Sequence, residues 1–373
     1  MAFIRGGPDL GCGTVSFAKE ASVVAQGQFR NLVFEGGGVK GIAYAGAIEV
    51  FEKRGYMSVI ERVGGTSAGA ISSTLLALGA KSADLAEIVG GTDFRDFMDD
   101  SFGLIRDTKR FLQDFGWFKG EEFSRWIKKL VYDFTGDTDL DFRGLATRAL
   151  QEPQRFRRLY TIGSNLSLQL PQVYSADDTP DVPVWLAVRI SMSIPLFFAC
   201  VRRNGEVNVD GGVTWNYPLD LFDSKPFVSA PGHWVDPRKE WDYPTVYDEN
   251  HVYNKETLGF RVDTADEIAA EKKAWRLPPQ RVDDILDYAK ALIGFMTDTA
   301  NKMHLHKNDW DRTVFIDALG VRATDFKLSD DKVEELIQSG RDSATKYLDW
   351  FEDPKEHPIN RVAGAAPAKK KPK

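Results

Sequence analysis

The sequence VIERVGGTSAGAISSTLLALGA, residues 59–80, decides the fold. The segment from Val59 to Val63, with its β-branched residues, predicts a strand, and the small, uncharged residues from Ala68 to Ala80 predict a helix buried against a sheet. Between them lies the segment Gly65-Thr66-Ser67-Ala68-Gly69. A serine on a sharp strand-to-helix turn needs glycine-sized neighbours, and the turn pushes its hydroxyl out of the chain. Ser67 is therefore a candidate nucleophile, and a serine in a purely structural turn is the alternative.

A second strand and helix precede this stretch. Asn31-Leu32-Val33-Phe34 is a short apolar run, and residues 41–54 have the pattern of a helix. The succession strand, loop, helix, strand, turn, helix predicts a parallel sheet of the α/β class. The loop between the first strand and helix is glycine-rich, and its N–H groups would face a site at a helix N-terminus, where negative charge is stabilised. Its residues are Gly36, Gly37, Gly38, Val39, Lys40 and Gly41.

The same glycine loop also matches the dinucleotide-binding fingerprint. A dinucleotide site needs an acidic residue at the end of the second strand. Glu61 lies inside that strand instead, and the strand leads into the serine turn. An oxyanion-binding loop is the favoured interpretation, and a nucleotide site stays open as the alternative.

A third motif is Asp210-Gly211-Gly212. It follows two apolar runs, residues 196–202 and 207–209, which are joined by Asn204-Gly205, a strong hairpin signal because both residues tolerate positive φ. An aspartate at the end of a strand and before two glycines has an accessible carboxylate. Asp-Gly is also a common turn, which is the alternative.

The three motifs, in their order along the chain, resemble those of the patatin-like phospholipase family. That family carries a Gly-x-Gly-x-x-Gly loop, a Gly-x-Ser-x-Gly turn and an Asp-Gly-Ala/Gly motif, and residues 191–198, SMSIPLFF, resemble its block before the aspartate. The resemblance covers residues 31 to about 219. It implies a three-layer α/β/α fold with a mostly parallel central sheet and the serine turn between a strand and a buried helix.

The resemblance also implies a catalytic Ser–Asp dyad without histidine. Ser67 would attack an acyl ester and Asp210 would be the general base. The oxyanion hole would be formed by Gly36, Gly37, Gly38 and Val39. Supporting motif residues would be Lys40, Gly41, Gly65, Gly69, Gly211 and Gly212. No metal ion or organic cofactor is expected, and we hypothesise that Lys40 lies near a substrate phosphate.

The predicted activity is that of a lipid acyl hydrolase of the phospholipase A or lysophospholipase type, which cleaves carboxylic esters of membrane lipids through an acyl-enzyme. A neutral-lipid lipase or a transacylase with the same dyad is an alternative. A dinucleotide-binding protein or a catalytically silent scaffold is an alternative of another class. The five histidines have no motif context, and we expect them to be surface or supporting residues.

The net charge of −7 argues against nucleic acid as a partner, because phosphate neutralisation needs a basic face. No signal peptide and no apolar run of about 18 residues is visible, so a cytoplasmic location with peripheral membrane association is expected. Secretion without a signal stays open. The expected partner is a phospholipid or another lipid ester at a membrane surface, while an unidentified activator and the oligomeric state are left open.

Several regions frame these motifs. Residues 1–29 are expected to be a poorly ordered lead-in to a catalytic domain over residues 30–320. Inside it we expect an aromatic-rich insertion at about 92–135, either core or a lipid-facing lid, and a loop insertion at about 224–256. Strands are predicted at 257–262 and 313–318. A C-terminal helical extension, capped by Ser329, is predicted over 321–353, and a disordered Pro/Ala/Lys tail over 354–373.

Overall fold

The computed structural model describes residues 27–97, 115–241, 249–264, 267–268, 282–283, 285–323, 325 and 327–362. The strands in this part are β1 (Asn31–Phe34), β2 (Arg62–Thr66), β3 (Gly116–Phe118), β4 (Arg158–Asn165), β5 (Leu170–Tyr174), β6 (Leu196–Phe198), β7 (Val201–Arg203), β8 (Glu206–Asp210), β9 (Trp234–Val235), β10 (Tyr253–Asn254), β11 (Thr257–Asp263) and β12 (Thr313–Asp317).

The α-helices in the same residues are α1 (Ala43–Lys53), α2 (Ala68–Ala77), α3 (Ser82–Gly90), α4 (Glu121–Thr135), α5 (Phe142–Gln151), α6 (Val184–Ser191), α7 (Pro237–Glu240), α8 (Ile285–His304) and α9 (Asp330–Glu352). Short 3₁₀ helices are found at Gly38–Ile42, Tyr56–Val59, Phe94–Phe97, Gly211–Val213, Leu219–Phe222, Lys225–Phe227 and Lys307–Arg312.

The main sheet has the strand order β12-β11-β1-β2-β4-β8-β7, and β5 pairs with β4. The pairs that join β12, β11, β1, β2 and β4 are all parallel. The pairs that involve β5, β7 and β8 are antiparallel. Helices flank this mostly parallel sheet, so the predicted α/β fold class is confirmed. The predicted strands at 257–262 and 313–318 are confirmed as β11 and β12.

Strand β4 has two partners in succession along one edge. Its first half pairs with β2, ending at Ile162 opposite Thr66. Its second half pairs with the antiparallel β8, starting at Gly163 opposite Asp210. Strand β5 occupies the opposite edge, because it pairs with β4 over both halves. The end of β2 and the end of β8 therefore meet at adjacent residues of β4.

The two faces of the sheet are covered differently. Leu32 and Phe34 of β1 point into the main core, where Phe34 stacks on Phe260 of β11 at 5.0 Å and packs edge-on against Tyr44 of α1. Val33 points to the other face, into a smaller cluster formed with the segment that follows Asp210. The other buried members of that cluster are Tyr160, Tyr217, Leu219 and Phe222. The segment after Asp210 therefore packs on the face of the sheet that lies opposite the main core.

Strand β2 does not lie where the apolar pattern predicts it. The prediction was Val59 to Val63, whereas the strand runs from Arg62 to Thr66 and residues Tyr56–Val59 form a 3₁₀ helix. Glycine has a low strand propensity, so the predicted strand was ended before Gly64 and Gly65. Both are nevertheless paired on both sides, with β1 and β4.

The aromatic insertion divides into two parts where it is described. Phe97, Phe123 and Trp126 pack against one another with ring centroids 5.1–5.5 Å apart, and both phenylalanines are buried. Phe115 and Trp117 are instead 50% and 38% exposed. The core interpretation therefore holds for the first group. Met98, Phe102 and Phe111, which belong to the same aromatic stretch, lie outside the described residues.

The C-terminal residues pack against the rest of the fold. Ser329 caps α9, as predicted, by accepting a hydrogen bond from the Lys332 N–H group. The expected disorder from residue 354 does not apply to residues 354–362. Asn360 is fully buried, and the Gln28 amide donates to its carbonyl oxygen at 2.5 Å. Gln28 and Asn360 are far apart in the sequence, so composition alone did not reveal that they are in contact. No α-helix in the described residues is long and apolar enough to cross a bilayer.

The predicted loop insertion at 224–256 contains β9, α7 and β10 where it is described. A buried ion-pair cluster fixes its base. The guanidinium of Arg312 donates to both carboxylate oxygens of Asp223 at 2.6 Å and to Asp309 at 2.7 Å, and it lies 4.2 Å from the centre of the Tyr253 ring. Arg312 is 1% exposed. This cluster joins the start and the end of the insertion to the segment before β12.

Replacing Arg312 by methionine is expected to lower the free energy of unfolding by about 3–5 kcal/mol, because Asp223 and Asp309 would remain buried without their cation. Equilibrium unfolding in urea measures this change. The matched control is Arg341→Met, which breaks partly exposed pairs with Glu49 and Glu334 and is expected to cost about 0–1 kcal/mol. Equal losses for the two variants would contradict the assignment of the cluster as a structural clamp.

Candidate active site

Ser67 lies on a strained turn between β2 and α2. Its backbone has φ 53° and ψ −122°, a conformation that L-residues rarely adopt. Neither flanking glycine has room for a side chain. A Cβ atom on Gly65 would lie 2.4 Å from the carbonyl oxygen of Gly69, and one on Gly69 would lie 2.2 Å from that of Phe34. The turn therefore requires both glycines, and it projects the serine side chain from the end of β2.

The surroundings of Ser67 come from the end of α6. The Ser67 N–H group donates to Ser191 Oγ at 2.9 Å, and the Ser191 hydroxyl donates to the Ile162 carbonyl at 2.6 Å. The Ser67 hydroxyl points to Met192 Sδ at 3.5 Å, and the residue is 6% exposed. Ser191 and Met192 were quoted as part of a family block but were not predicted as site residues. The block pattern was the signal for them.

Asp210 lies beside this turn because of the way β4 is shared. Its Oδ1 accepts a hydrogen bond from the Gly212 N–H group at 2.7 Å. Its Oδ2 has no hydrogen-bond partner among the residues that the structure describes. Burial raises the pKa of Asp210 to about 7, against the lowering effects of the Gly212 N–H group and the Ser67 hydroxyl. A carboxyl group with this pKa can exchange a proton near neutrality.

The second glycine of this motif, Gly212, thus supplies the donor that orients the carboxylate. Gly211 is needed for close approach, since a Cβ atom there would lie 2.4 Å from the Ile162 carbonyl oxygen.

The glycine loop lies against the serine turn. A Cβ atom on Gly36 would be 3.1 Å from Ser67 Cβ, and one on Gly41 would be 3.1 Å from Ala68 Cβ. Gly38 has φ 57° and touches the Ala323 carbonyl. Gly38 and Val39 open the 3₁₀ helix, so their N–H groups precede its first internal hydrogen bond.

The structure contradicts the expectation that Gly36 supplies an N–H group to an oxyanion. Its N–H group donates to the Asn216 carbonyl oxygen at 3.0 Å. The partner lies far along the chain, which is why the glycine motif did not reveal the contact. Gly37, Gly38 and Val39 are left as the candidate donors.

Lys40 does not match the hypothesis that places it near a substrate phosphate. Its ammonium group donates to the Val262 carbonyl at the end of β11, at 2.8 Å. The side chain therefore holds the loop to the sheet. The hypothesis relied on the position of Lys40 in the sequence, directly after the glycines, and position does not determine the direction of a side chain.

Beneath the glycine loop lies a buried charged cluster that the sequence did not indicate. Glu35 is 3% exposed, and Arg261 Nε lies 3.4 Å from its Oε1 and 2.6 Å from Asp263 Oδ2. Burial raises the pKa of Glu35 to about 8, although Arg261 and Lys40 act in the opposite direction. Glu35 directly follows β1, where the sequence pattern gave no reason to expect a buried acid.

The side chain of His304 contacts the segment that follows Asp210. Its ring stacks on Trp215 with centroids 5.4 Å apart, and its Nδ1 is 3.7 Å from Asp220 Oδ2. The pKa of His304 is raised, since the carboxylate of Asp220 outweighs the effect of burial. His304 thus supports the segment after Asp210.

The structure thus brings a serine on a strand-to-helix turn, a glycine loop at a helix start and a strand-end aspartate together on one mostly parallel sheet of an α/β protein. The sequence model of the family described as "Patatin-like phospholipase" matches residues 32–223, just over half of the 373 residues. The chain belongs to the patatin-like phospholipase family.

Two relatives are similar to this chain over a little more than half of its length. The chain is 33% identical over 224 residues to the uncharacterized protein YqhO of Bacillus subtilis, covering 56% of this chain and 71% of YqhO. It is 29% identical over 202 residues to the lysophospholipase NTE1 of Saccharomyces cerevisiae, covering 52% of this chain and 10% of the yeast protein. The chain therefore spans only a small part of that much longer relative.

The structure of VipD from Legionella pneumophila is similar to this one with a TM-score of 0.50 and 17% sequence identity. The match covers 86% of this chain and 67% of VipD. At this level of identity the similarity concerns the fold, and a match over 86% of the chain extends beyond residue 223.

Proposed function

We propose that this protein is a lipid acyl hydrolase of the phospholipase A or lysophospholipase type, with Ser67 as nucleophile and Asp210 as general base. Family membership supports phospholipase-type lipid hydrolysis. The observation that carries the mechanism is the strained Ser67 beside a buried carboxyl group whose pKa is raised to about 7 and whose Oδ2 has no partner among the described residues.

The reaction begins with the transfer of the Ser67 hydroxyl proton to Asp210 Oδ2. This transfer requires the hydroxyl to rotate away from Met192. Ser67 Oγ forms a bond to the acyl carbon of the ester, and the carbonyl oxygen takes the negative charge. The tetrahedral intermediate then collapses as the bond between the acyl carbon and the alcohol oxygen breaks, and the departing oxygen of the lysolipid or glycerol derivative takes the proton from Asp210. Water attacks the acyl-enzyme while Asp210 accepts a proton from it, the bond between the acyl carbon and Ser67 Oγ breaks, and Ser67 Oγ takes that proton as the fatty acid is released.

The oxyanion is stabilised in this proposal by the N–H groups of Gly37, Gly38 and Val39. Preorganised backbone donors of this kind lower the barrier because they need no reorientation as the charge develops. The start of α2 adds a positive partial charge near Ser67. Because Gly36 is committed to Asn216, it shapes the loop and does not donate to the oxyanion. No metal ion enters these steps.

A neutral-lipid lipase or a transacylase would use the same residues, so the substrate must be measured. The purified protein is expected to release free fatty acid from phosphatidylcholine or lysophosphatidylcholine vesicles, with the same rate in excess chelator. Release from triacylglycerol emulsions alone would indicate a lipase, and an acylated acceptor alcohol in place of fatty acid would indicate a transacylase.

The control is the wild-type protein treated with a fluorophosphonate, which is expected to label one serine and to stop hydrolysis. A protein that neither hydrolyses any of these esters nor takes the label would contradict the proposal. That result would leave the silent scaffold as the favoured alternative.

A further inference from the structure

The carboxyl group of Glu35 links three segments around the candidate active site. Glu35 directly precedes Gly36 of the glycine loop. Its Oε1 accepts hydrogen bonds from the side-chain amides of Asn216 at 3.3 Å and Asn301 at 2.7 Å. Its Oε2 accepts one from the Val262 N–H group at 3.3 Å. These donors come from the Asp210 segment, from α8 and from β11.

The contact with Asn216 connects the glycine loop to the aspartate. Asn216 Nδ2 also donates to the Gly36 carbonyl at 3.2 Å, and its own carbonyl accepts from the Gly36 N–H group at 3.0 Å. Asn216 follows the 3₁₀ helix Gly211–Val213, and Asp210 is the residue that caps the start of this helix. The position of Gly36 is therefore defined relative to the Asp210 segment through hydrogen bonds that Glu35 completes.

The contact with Asn301 adds α8 to this arrangement. One turn earlier on the same helix, Thr297 Cγ2 lies 3.2 Å from where a Cβ atom of Gly212 would be. The inner side of α8 thus touches both the acid beneath the glycine loop and the glycine that orients Asp210. A shift of α8 would move these two parts of the site together.

The burial of an acid here is costly if its only role is packing. Moving a carboxyl group from water into the interior costs several kcal/mol unless it is well paired. Arg261 lies close to both Glu35 and Asp263, and Lys40 donates to Val262, so the three hydrogen bonds add defined positions to a charge interaction that Glu35 shares with Asp263. Directed bonds fix an orientation that an apolar side chain would not.

We propose that Glu35 is a positioning residue for the proposed hydrolase, which through Asn216 and Asn301 aligns the N–H groups of the glycine loop with Ser67 and Asp210. The inference rests on the proposed function. Glu35 touches neither the substrate nor the reacting atoms. It acts on the transition state because a displacement of about 1 Å in the donors can reduce the rate by up to about 10²-fold.

The test compares Glu35→Met, which keeps the length of the side chain but removes its acceptors, with Glu35→Gln, which keeps the Oε1 acceptor for both amides. With a water-soluble p-nitrophenyl ester as substrate, Glu35→Met is expected to lower kcat about 10–100-fold with KM changed less than about twofold. Glu35→Gln is expected to keep kcat within about threefold of the wild type. Asn301→Leu, which leaves the glycine loop untouched, should lower kcat in the same direction as Glu35→Met.

Folding is monitored by circular dichroism, and activity is measured well below the melting temperature of each variant. Glu61→Gln, an exposed acid that pairs with Arg30, is the matched control and should keep the wild-type kcat. If Glu35→Met does not fold, Asn301→Leu alone decides the question. Unchanged kcat in the folded variants, or a loss that only follows the unfolded fraction, would overturn the inference. An inactive wild type would instead overturn the proposed function.

Discussion

Replacing Ser67 by alanine is expected to abolish ester hydrolysis, with kcat/KM reduced at least about 10³-fold. The physical reason is that the other hydroxyl of the turn, on Thr66, is buried and donates to the Trp215 carbonyl, while the backbone donors alone retain only part of the rate enhancement. The fold should be retained, because the Ser67 contact that anchors the turn is its N–H group bonded to Ser191 and not its hydroxyl. The measurement is fatty-acid release together with fluorophosphonate labelling, both of which should disappear.

The matched control for this change is Ser58→Ala. Ser58 is exposed and its hydroxyl donates only locally, to the Gly55 carbonyl, so hydrolysis should be unaffected. Labelling that persists undiminished in Ser67→Ala would mean that another serine is the nucleophile.

Replacing Asp210 by asparagine is expected to lower kcat about 10²–10⁴-fold, because an amide cannot accept the serine proton. The side chain keeps its size, and its oxygen can still accept from Gly212, so the structure should change little. In the wild type, the carboxyl group must be ionised to act as base. Activity should therefore rise with pH through about 7, the value to which burial raises the pKa of Asp210.

The measurement is the dependence of kcat on pH. The rise of kcat near pH 7, the limb of the profile that reports the ionisation of Asp210, should be missing in Asp210→Asn. Asp349→Asn, which removes an exposed partner of Arg54, is the control and should keep both the rate and the limb. If Asp210→Asn keeps most of the activity and still shows the rise of kcat near pH 7, a histidine would be indicated as the base.

Local features of this fold were predictable from sequence because their causes are local. The turn at Ser67 needs two glycines at fixed spacing, and the Asn204-Gly205 hairpin has φ values of 53° and 81°, as the residue types predict. The cap at Ser329 is of the same kind. Strands β11 and β12 were also predictable, since each is a short segment that contains several β-branched and aromatic residues.

Features that depend on distant contacts were not predictable. Strand β2 extends through two glycines because neighbouring strands pair with it, and nothing in its own composition favours this. The N–H group of Gly36 bonds to Asn216, and the ammonium group of Lys40 bonds to Val262, each across a separation of more than a hundred residues. Glu35 looked like an ordinary polar residue at a strand end, because the amides that surround it come from three other segments.

The sharing of β4 between β2 and β8 has a consequence for how such a protein can diversify. Because Ile162 and Gly163 fix the serine turn and the aspartate as neighbours, the spacing of the two reactive groups does not depend on the loops that connect them. Those connections can lengthen, shorten or be exchanged while the chemistry is conserved. In the proposed hydrolase, the connecting segments can therefore change without any need to rebuild the site itself.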